Sequence, residues 1–118
     1  LKEIFSHSRN LYVPSTYENV ETGWLAFPLI FKNKLESSRK EIQIYLEKNG
    51  IQTRTIFTGN IMRQPVAKKF KWEKHGTFDT SDMVMKSGIL LGIHNRQSQS
   101  NIDYIAKKVL EIEKKLCY

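Results

Sequence analysis

The sequence predicts a two-layer α/β sandwich: a small sheet of three or four strands with helices packed on one face. Three observations support this. The apolar runs Trp24–Phe31 and Ile89–Ile93 have the length and composition of buried strands. Between 102 and 116, apolar residues recur at spacings of three and four, which is typical of an amphipathic helix. A chain of 118 residues with 40% hydrophobic content can bury one core of this kind.

The strand predictions follow from composition and from proline. The run Trp24–Phe31 is almost continuously apolar, so we expect a strand covered on both sides. Pro28 cannot donate to a neighbouring strand, which places this strand at a sheet edge or at a bulge. Thr and Ile alternate with Gln and Arg in Ile51–Phe57, which indicates a second strand. Ile89–Ile93 is the third clear strand, and Leu11–Val13 is a short extended piece that ends at Pro14.

The helix predictions depend on residues that start or stop helices. Ser38 and Glu41 have the spacing of a capping box, and Gly50 is placed to end that helix in the left-handed conformation. We expect three further helical segments. The first is one turn over Pro65–Phe70. The second is a short helix capped by Thr80, Ser81 or Asp82 and closed by Gly88, and the third is the last helix, which Ser98 caps.

Composition excludes several classes of function. Cys117 is the only cysteine, so no internal disulfide can form and a reduced, cytoplasmic setting is expected. No segment approaches the roughly 20 apolar residues of a membrane span. His7, His75 and His94 are scattered without ligand spacing, so no metal site is expected. No motif for a nucleophile or a phosphate loop is present, and no catalytic residue is expected within this chain.

The loop Thr58–Pro65 is the strongest candidate for a functional site. It follows a predicted strand and presents Asn60, Arg63 and Gln64 beside Gly59, whose missing Cβ lets the backbone approach a ligand closely. A guanidinium and two amides on a short loop suit a phosphate, carboxylate or sugar. The alternative is an ordinary Gly-Asn turn followed by a capped helix.

A second polar loop, His94–Gln97, follows the third strand. If the two preceding strands are adjacent and parallel, their ends meet and His94 and Asn95 converge with Asn60 and Arg63 on one ligand. A lone polar histidine after a strand is more often a solvated or turn-bonding residue. Convergence is therefore an expectation about topology.

The segment Lys68–Lys74 interleaves four lysines with Phe70 and Trp72. Together with a net charge of +7, this pattern permits a nucleic-acid-binding module in which bases stack on the aromatic rings. The alternative is a surface segment whose two aromatic residues anchor a loop to the core while the lysines face water. The second interpretation is favoured, so no nucleic-acid partner is expected.

Five segments, in family order, resemble the C-terminal small domain of the DegT-type nucleotide-sugar aminotransferases and dehydrases, a branch of the fold-type I pyridoxal-phosphate superfamily. These segments are Trp24–Pro28, Tyr45–Arg54, Thr58–Pro65, Asp82–Gly92 and Ile102–Ile105. The stretch Gly-Asn-x-x-Arg-Gln-Pro resembles most closely the CDP-4-keto-6-deoxyglucose 3-dehydrases of lipopolysaccharide O-antigen synthesis.

The resemblance implies residues 1–22 as the end of an interdomain helix and linker, residues 23–118 as the small domain, and a large cofactor-binding domain outside this chain. It implies a homodimeric parent that uses pyridoxal or pyridoxamine phosphate on a nucleotide-linked keto-deoxy sugar, with no cofactor bound by this piece alone. Trp24 and Phe27 would border sugar and cofactor, and Asn60, Arg63, Gln64 and His94 would lie near the substrate. A sugar aminotransferase with the same domain is the alternative.

Two departures from the family pattern lie near the implied site. Ser81-Asp82-Met83 stands where relatives often have Thr-Asp-Arg, and Ile93-His94-Asn95-Arg96 lacks a glycine that relatives often carry. Both changes leave open an altered substrate or an inactive member.

Overall fold

A computed structural model describes residues 1–117 of the chain. Four strands form one antiparallel sheet in the spatial order β1-β2-β4-β3. The strands are β1 (Leu11–Tyr12), β2 (Ala26–Phe31), β3 (Thr53–Thr55) and β4 (Gly88–Gly92). The helices are α1 (Lys2–Ser6), α2 (Arg39–Lys48), α3 (Asp79–Ser87) and α4 (Gln99–Cys117). The predicted α/β class, with a sheet of three or four strands, is confirmed.

The core lies between one face of the sheet and the helices α2 and α4. Alternate residues of β2 are buried, and Leu29 and Phe31 have no exposed surface. The apolar stripe of α4 faces them, with Val109 fully buried. The other residues of β2 are only half-buried, so the expectation that this strand is covered on both sides is wrong. Alternating burial is what an antiparallel sheet with one open face produces.

Pro28 lies where β2 lacks a neighbour on one side. Within the described chain, β1 pairs only with Ile30 and Phe31, so it ends before it reaches Pro28. On the other side Pro28 stands opposite Leu90 of β4. The missing N–H of proline therefore costs no ladder bond on the open side, which fits the predicted local edge.

The N-terminal segment packs on the same core. Phe5 is fully buried and Leu11 nearly so. The carboxylate of Glu113, on α4, accepts hydrogen bonds from Ser8 Oγ at 2.5 Å and Asn10 Nδ2 at 2.9 Å. The stretch expected to be the end of an interdomain helix and a linker thus contributes to the core of this domain.

Local signals at the helix ends succeeded in two places and failed in two. Gly50 has φ +73° after α2, and Ser98 Oγ accepts from the Asn101 N–H at 3.3 Å, as predicted. Ser38 precedes α2, but its side chain makes no capping hydrogen bond, so the capping box is wrong. The caps predicted at Thr80–Asp82 are also wrong, because α3 begins at Asp79 and includes them in its first turn.

Gly88 closes α3, as predicted, because the helix ends at Ser87 and Gly88 is its C-cap. Its backbone is extended, with φ −87°, and not in the left-handed conformation common at helix ends, and the same residue begins β4. A Cβ at this position would lie 2.6 Å from the carbonyl oxygen of Val84 and 2.7 Å from Ile56 Cδ1. Close packing, and not backbone conformation, therefore requires glycine here.

The chain turns sharply after β3. Phe57 and Gly59 both have positive φ, +46° and +66°. A Cβ on Gly59 would lie 2.3 Å from Cβ of Met85, so the loop rests directly on α3. The strand predicted over Ile51–Phe57 is shorter than expected because this turn removes its last residues from the sheet.

We predict that Gly59→Ala lowers the free energy of unfolding by about 2–4 kcal/mol, because it adds a steric clash to the left-handed backbone cost. Gly50→Ala is the matched control: its φ is similarly positive, but nothing lies within 4 Å of the added Cβ. It should cost only about 1–2 kcal/mol. Urea unfolding of both variants measures the difference. Equal losses would show that Gly59 is not in tight contact with α3.

Candidate functional site

The first group of candidate residues forms a corner around the carboxylate of Asp82, on α3. We call Thr58–Pro65 together with Asp82 the Arg63 corner. Asp82 Oδ1 accepts from Asn60 Nδ2 at 2.7 Å and from Arg63 Nε at 2.9 Å. Asp82 Oδ2 accepts from Arg63 Nη2 at 2.6 Å. The guanidinium and the carboxylate therefore pair through two parallel hydrogen bonds, the strongest geometry for this ion pair.

Asn60 is buried at the centre of this corner, with 2% of its surface exposed. Its Oδ1 accepts the Met62 N–H at 2.9 Å and starts the short helical turn Ile61–Arg63. Since its Nδ2 donates to Asp82, both ends of the amide are used inside the corner. Asn60 thus positions the turn from which Arg63 projects.

The ion pair shifts the protonation of both partners. Hydrogen bonds from Arg63 and then from Asn60 lower the pKa of Asp82 to about 2 from an ordinary value of 3.8. The hydrogen bond to Asp82 raises the pKa of Arg63 above its usual range. Both groups are therefore charged at neutral pH.

Arg63 retains donors that can reach a ligand. Its side chain is 56% exposed, and Nη1 has no hydrogen-bond partner within residues 1–117. Gln64 is tied to the same loop, because its Nε2 donates to the carbonyl oxygen of Thr58 at 2.9 Å. The corner therefore offers one outward guanidinium edge on a turn whose shape is already fixed.

The second group lines a cleft of about 270 Å³ at the other end of the sheet. We call it the Trp24 cleft. Trp24 and Phe27 pack with ring centroids 6.4 Å apart and ring planes at 51°. The Nδ1 atom of His94 accepts the N–H of Arg96 at 3.2 Å, which leaves Nε2 as the donor of a neutral ring. The cleft is lined by Leu1, Lys2, Trp24, Phe27, Ile93, His94, Gln97 and Ile102.

The predicted convergence of the two loops is wrong. Strands β3 and β4 are adjacent but antiparallel, with Thr53 opposite Leu91 and Thr55 opposite Ile89. The loop after β3 therefore lies beside the start of β4, whereas His94 follows its end. The two ends of this five-residue strand are about 14 Å apart. The structure brings Asn60, Arg63 and Gln64 together, and separately Trp24, Phe27 and His94; Asn95 is exposed beside His94.

Sequence reasoning missed Asp82 as the partner of Asn60 and Arg63, since the only role considered for its side chain was that of a helix cap. It lies 19 positions after Arg63, and no local pattern joins the two. One signal was available: the segment beginning at Asp82 is among those that resemble the family. An acidic residue in a segment grouped with the Asn-x-x-Arg turn could have suggested their pairing.

The segment Lys68–Lys74 begins three residues after Pro65, the last loop residue of the Arg63 corner, and does not anchor to the core. Phe70 and Trp72 are 62% and 42% exposed, and their rings meet edge to face at 6.0 Å. Trp72 Nε1 donates to the carbonyl oxygen of Ala67 at 2.8 Å. The interpretation in which both aromatic residues hold the loop against the core is therefore wrong.

Residues 1–117 contain neither a metal-binding cluster nor a membrane-spanning helix. No group of three or more His, Cys, Asp or Glu side chains in this range could hold a metal ion. None of the helices in the same range combines the length and the apolar composition needed to cross a bilayer.

Comparison with known proteins gives relatives over most of the chain. The chain is 29% identical over 101 residues to the lipopolysaccharide biosynthesis protein RfbH of Salmonella typhimurium, covering 86% of this chain and 23% of that protein. It is 30% identical over 95 residues to the GDP-4-keto-6-deoxy-D-mannose 3-dehydratase of Escherichia coli O55:H7, covering 80% and 24%. The chain thus spans about a quarter of the length of these relatives.

A solved structure shows the same fold. The E. coli GDP-4-keto-6-deoxy-D-mannose-3-dehydratase with bound hydrated PLP superposes with a TM-score of 0.78 at 29% identity. The match covers 91% of this chain and 27% of that one. The sequence profile of the DegT/DnrJ/EryC1/StrS aminotransferase family matches residues 1–110. This match confirms the family resemblance, and the chain belongs to the DegT/DnrJ/EryC1/StrS aminotransferase family.

Proposed function

We propose that this chain is the C-terminal small domain of a pyridoxal- or pyridoxamine-phosphate-dependent 3-dehydratase. Its substrate would be a nucleotide-linked 4-keto-6-deoxyhexose used in lipopolysaccharide synthesis. The observation that carries the proposal is the 30% identity to a 3-dehydratase over 80% of this chain. The Arg63 corner supports it, because an outward guanidinium on a fixed turn suits the oxygens of such a sugar.

In this proposal the described residues do not hold the cofactor by themselves. Every lysine among residues 1–117 is exposed or half-buried, so none lies in the enclosed pocket that a covalently held pyridoxal phosphate needs. We therefore assign the cofactor and the catalytic residue to a large domain of a homodimeric, cytoplasmic parent. The present chain would supply binding and orientation, which are the protein's share of cofactor chemistry.

In this proposal the two groups of candidate residues would contact different parts of the substrate and cofactor. The Arg63 corner would face the substrate, with Arg63 and Gln64 touching it and Asn60 positioning them. The Trp24 cleft, with Phe27 and His94, would border the sugar and the cofactor from the other end of the sheet. Residues 1–22 would lead from the large domain into residues 23–118, and Leu1 and Lys2 already line this cleft.

A chimera tests the proposal. The matching C-terminal segment of the E. coli 3-dehydratase would be replaced by this chain, and the 3-deoxy product would be measured by mass spectrometry. We expect turnover within about a hundredfold of the parent enzyme, since a misplacement of about 1 Å costs that much. A dimeric, cofactor-loaded chimera that binds the substrate but forms no 3-deoxy sugar would contradict the proposal.

Within the chimera, Arg63→Lys should reduce kcat/KM about tenfold or more. Lysine keeps the positive charge, but its single amino group cannot donate two parallel hydrogen bonds to Asp82 and still present a planar donor group to the substrate. Arg54→Lys is the matched control, because Arg54 is exposed on β3 outside the corner. Steady-state kinetics measures both variants, and equal kcat/KM values for the two would remove Arg63 from the substrate contacts.

The ion pair also predicts a pH dependence. Since the folded pKa of Asp82 is depressed to about 2, its stabilisation is complete above 3.8 and is lost as pH falls towards 2. Carboxyl ¹³C NMR of the chain should show Asp82 titrating with a midpoint near 2. Arg63→Gln should raise this midpoint towards 3.8, and Arg54→Gln should leave it unchanged. A wild-type midpoint near 3.8 would mean that the pair does not form in solution.

A further inference from the structure

A basic aromatic arm, residues Lys68–Lys74, is left without a role by the function proposed above. Its four lysines are exposed, and none forms an ion pair with any residue that the structure describes. The single carboxylate of the arm, Glu73, lies 3.3 Å from the ring of His75. The arm therefore presents uncompensated positive charge to a ligand.

The aromatic rings of the arm are held in place and open to solvent. Phe70 and Trp72 support one another edge to face, and the indole N–H is bonded to the backbone of Ala67. Both rings stay exposed, and the one polar group between them, the indole N–H of Trp72, is already bonded to the backbone. The ring faces are therefore suited to stacking. A flat heteroaromatic base is a ligand of that shape.

The position of the arm relates it to the Arg63 corner. The helical turn Pro65–Lys68 begins directly after Gln64, and Trp72 is bonded back onto this turn. The arm is therefore continuous with the turn from which Arg63 projects, and Trp72 is held back towards that turn. The charge of Arg63 is already matched by Asp82, so a dianionic group beside it needs other cations.

We propose that the arm binds the nucleoside diphosphate portion of the substrate. The lysines neutralise the diphosphate, and the base stacks on the exposed face of Phe70 or Trp72. The inference rests on the proposed function in one respect: a nucleotide-linked sugar is what supplies a diphosphate and a base on one molecule. What the inference adds to the proposed function is the binding site of the nucleoside diphosphate portion.

Fluorescence of Trp72 tests this directly in the 118-residue chain. Trp24→Phe leaves Trp72 as the only tryptophan. GDP should quench its emission, with GMP weaker than GDP and guanosine about tenfold weaker or more. The affinity for GDP should fall as NaCl rises, because exposed charges are screened. Absence of quenching by GDP, or equal affinity for guanosine and GDP, would overturn the proposal.

Paired lysine variants supply the control. Lys69→Gln/Lys71→Gln should weaken GDP binding about five- to tenfold. Lys114→Gln/Lys115→Gln removes the same charge from exposed positions at the end of α4 and should leave binding unchanged. If both double variants weakened GDP binding equally, the effect would come from the net charge of the chain and not from the arm, and the assignment would be overturned. A single-stranded oligonucleotide that binds more tightly than GDP at 150 mM salt, roughly physiological ionic strength, would make the arm a nucleic-acid surface instead.

The chimera separates this inference from the proposed function. Turnover with an unchanged KM in Lys69→Gln/Lys71→Gln would overturn the arm as a substrate contact and leave the function standing. Lysine-dependent GDP binding by the chain, with no turnover by a folded chimera, would support the arm while the proposed reaction fails.

Discussion

The carboxylate of Asp82 is the contact on which the candidate site depends. It accepts from the buried amide of Asn60 and from the guanidinium of Arg63, and so joins the loop after β3 to α3. A buried amide with both ends bonded has few other conformations available, because breaking either bond leaves an unsatisfied polar group. Gly59 also packs this loop against α3, since only a residue without Cβ can lie this close to Met85. One acidic residue on a helix thus converts an eight-residue loop into a fixed surface.

The order of the strands decides what that surface can do. Because β4 is antiparallel to its neighbour β3, the loop after β3 and the loop after β4 leave at opposite ends of the sheet. The Arg63 corner and the Trp24 cleft therefore lie too far apart to contact the same small ligand. A nucleotide-linked sugar is extended, and it can be contacted at different points by separate surfaces of a domain and by the remainder of a longer protein. This separation agrees with the proposed function, in which the domain would orient a long ligand instead of enclosing a small one.

Much of the fold was predictable because its signals are local. The stripe on α4, the serine cap at Ser98 and the left-handed Gly50 each depend on residues within one or two turns. The pairing of Arg63 with Asp82 was not predictable from spacing, because it joins positions 19 apart through the tertiary structure. Strand direction was assumed to be parallel, and hydrophobic patterns do not carry that information.

The missing side-chain cap at Ser38 and the extended backbone of Gly88 have a common cause. In both cases a residue type favoured at helix ends was used for something else: Ser38 makes no side-chain cap, and Gly88 provides room for Ile56 and the Val84 carbonyl. Glycine can be required by backbone conformation or by close packing, and the sequence looks the same in either case. The exposure of Phe70 and Trp72 was the less favoured of two alternatives, since an aromatic residue is by composition a candidate for the core.

Hydrogen exchange at the Met62 amide tests most directly whether Asp82 organises the corner. This N–H is bonded to Asn60 Oδ1, and Asp82 fixes that amide by accepting from its nitrogen. In Asp82→Ala, we expect Met62 to exchange about tenfold faster or more, while the buried Leu46 of α2 keeps its protection. Unchanged exchange at Met62 would show that the loop holds its shape without Asp82, and would contradict the account.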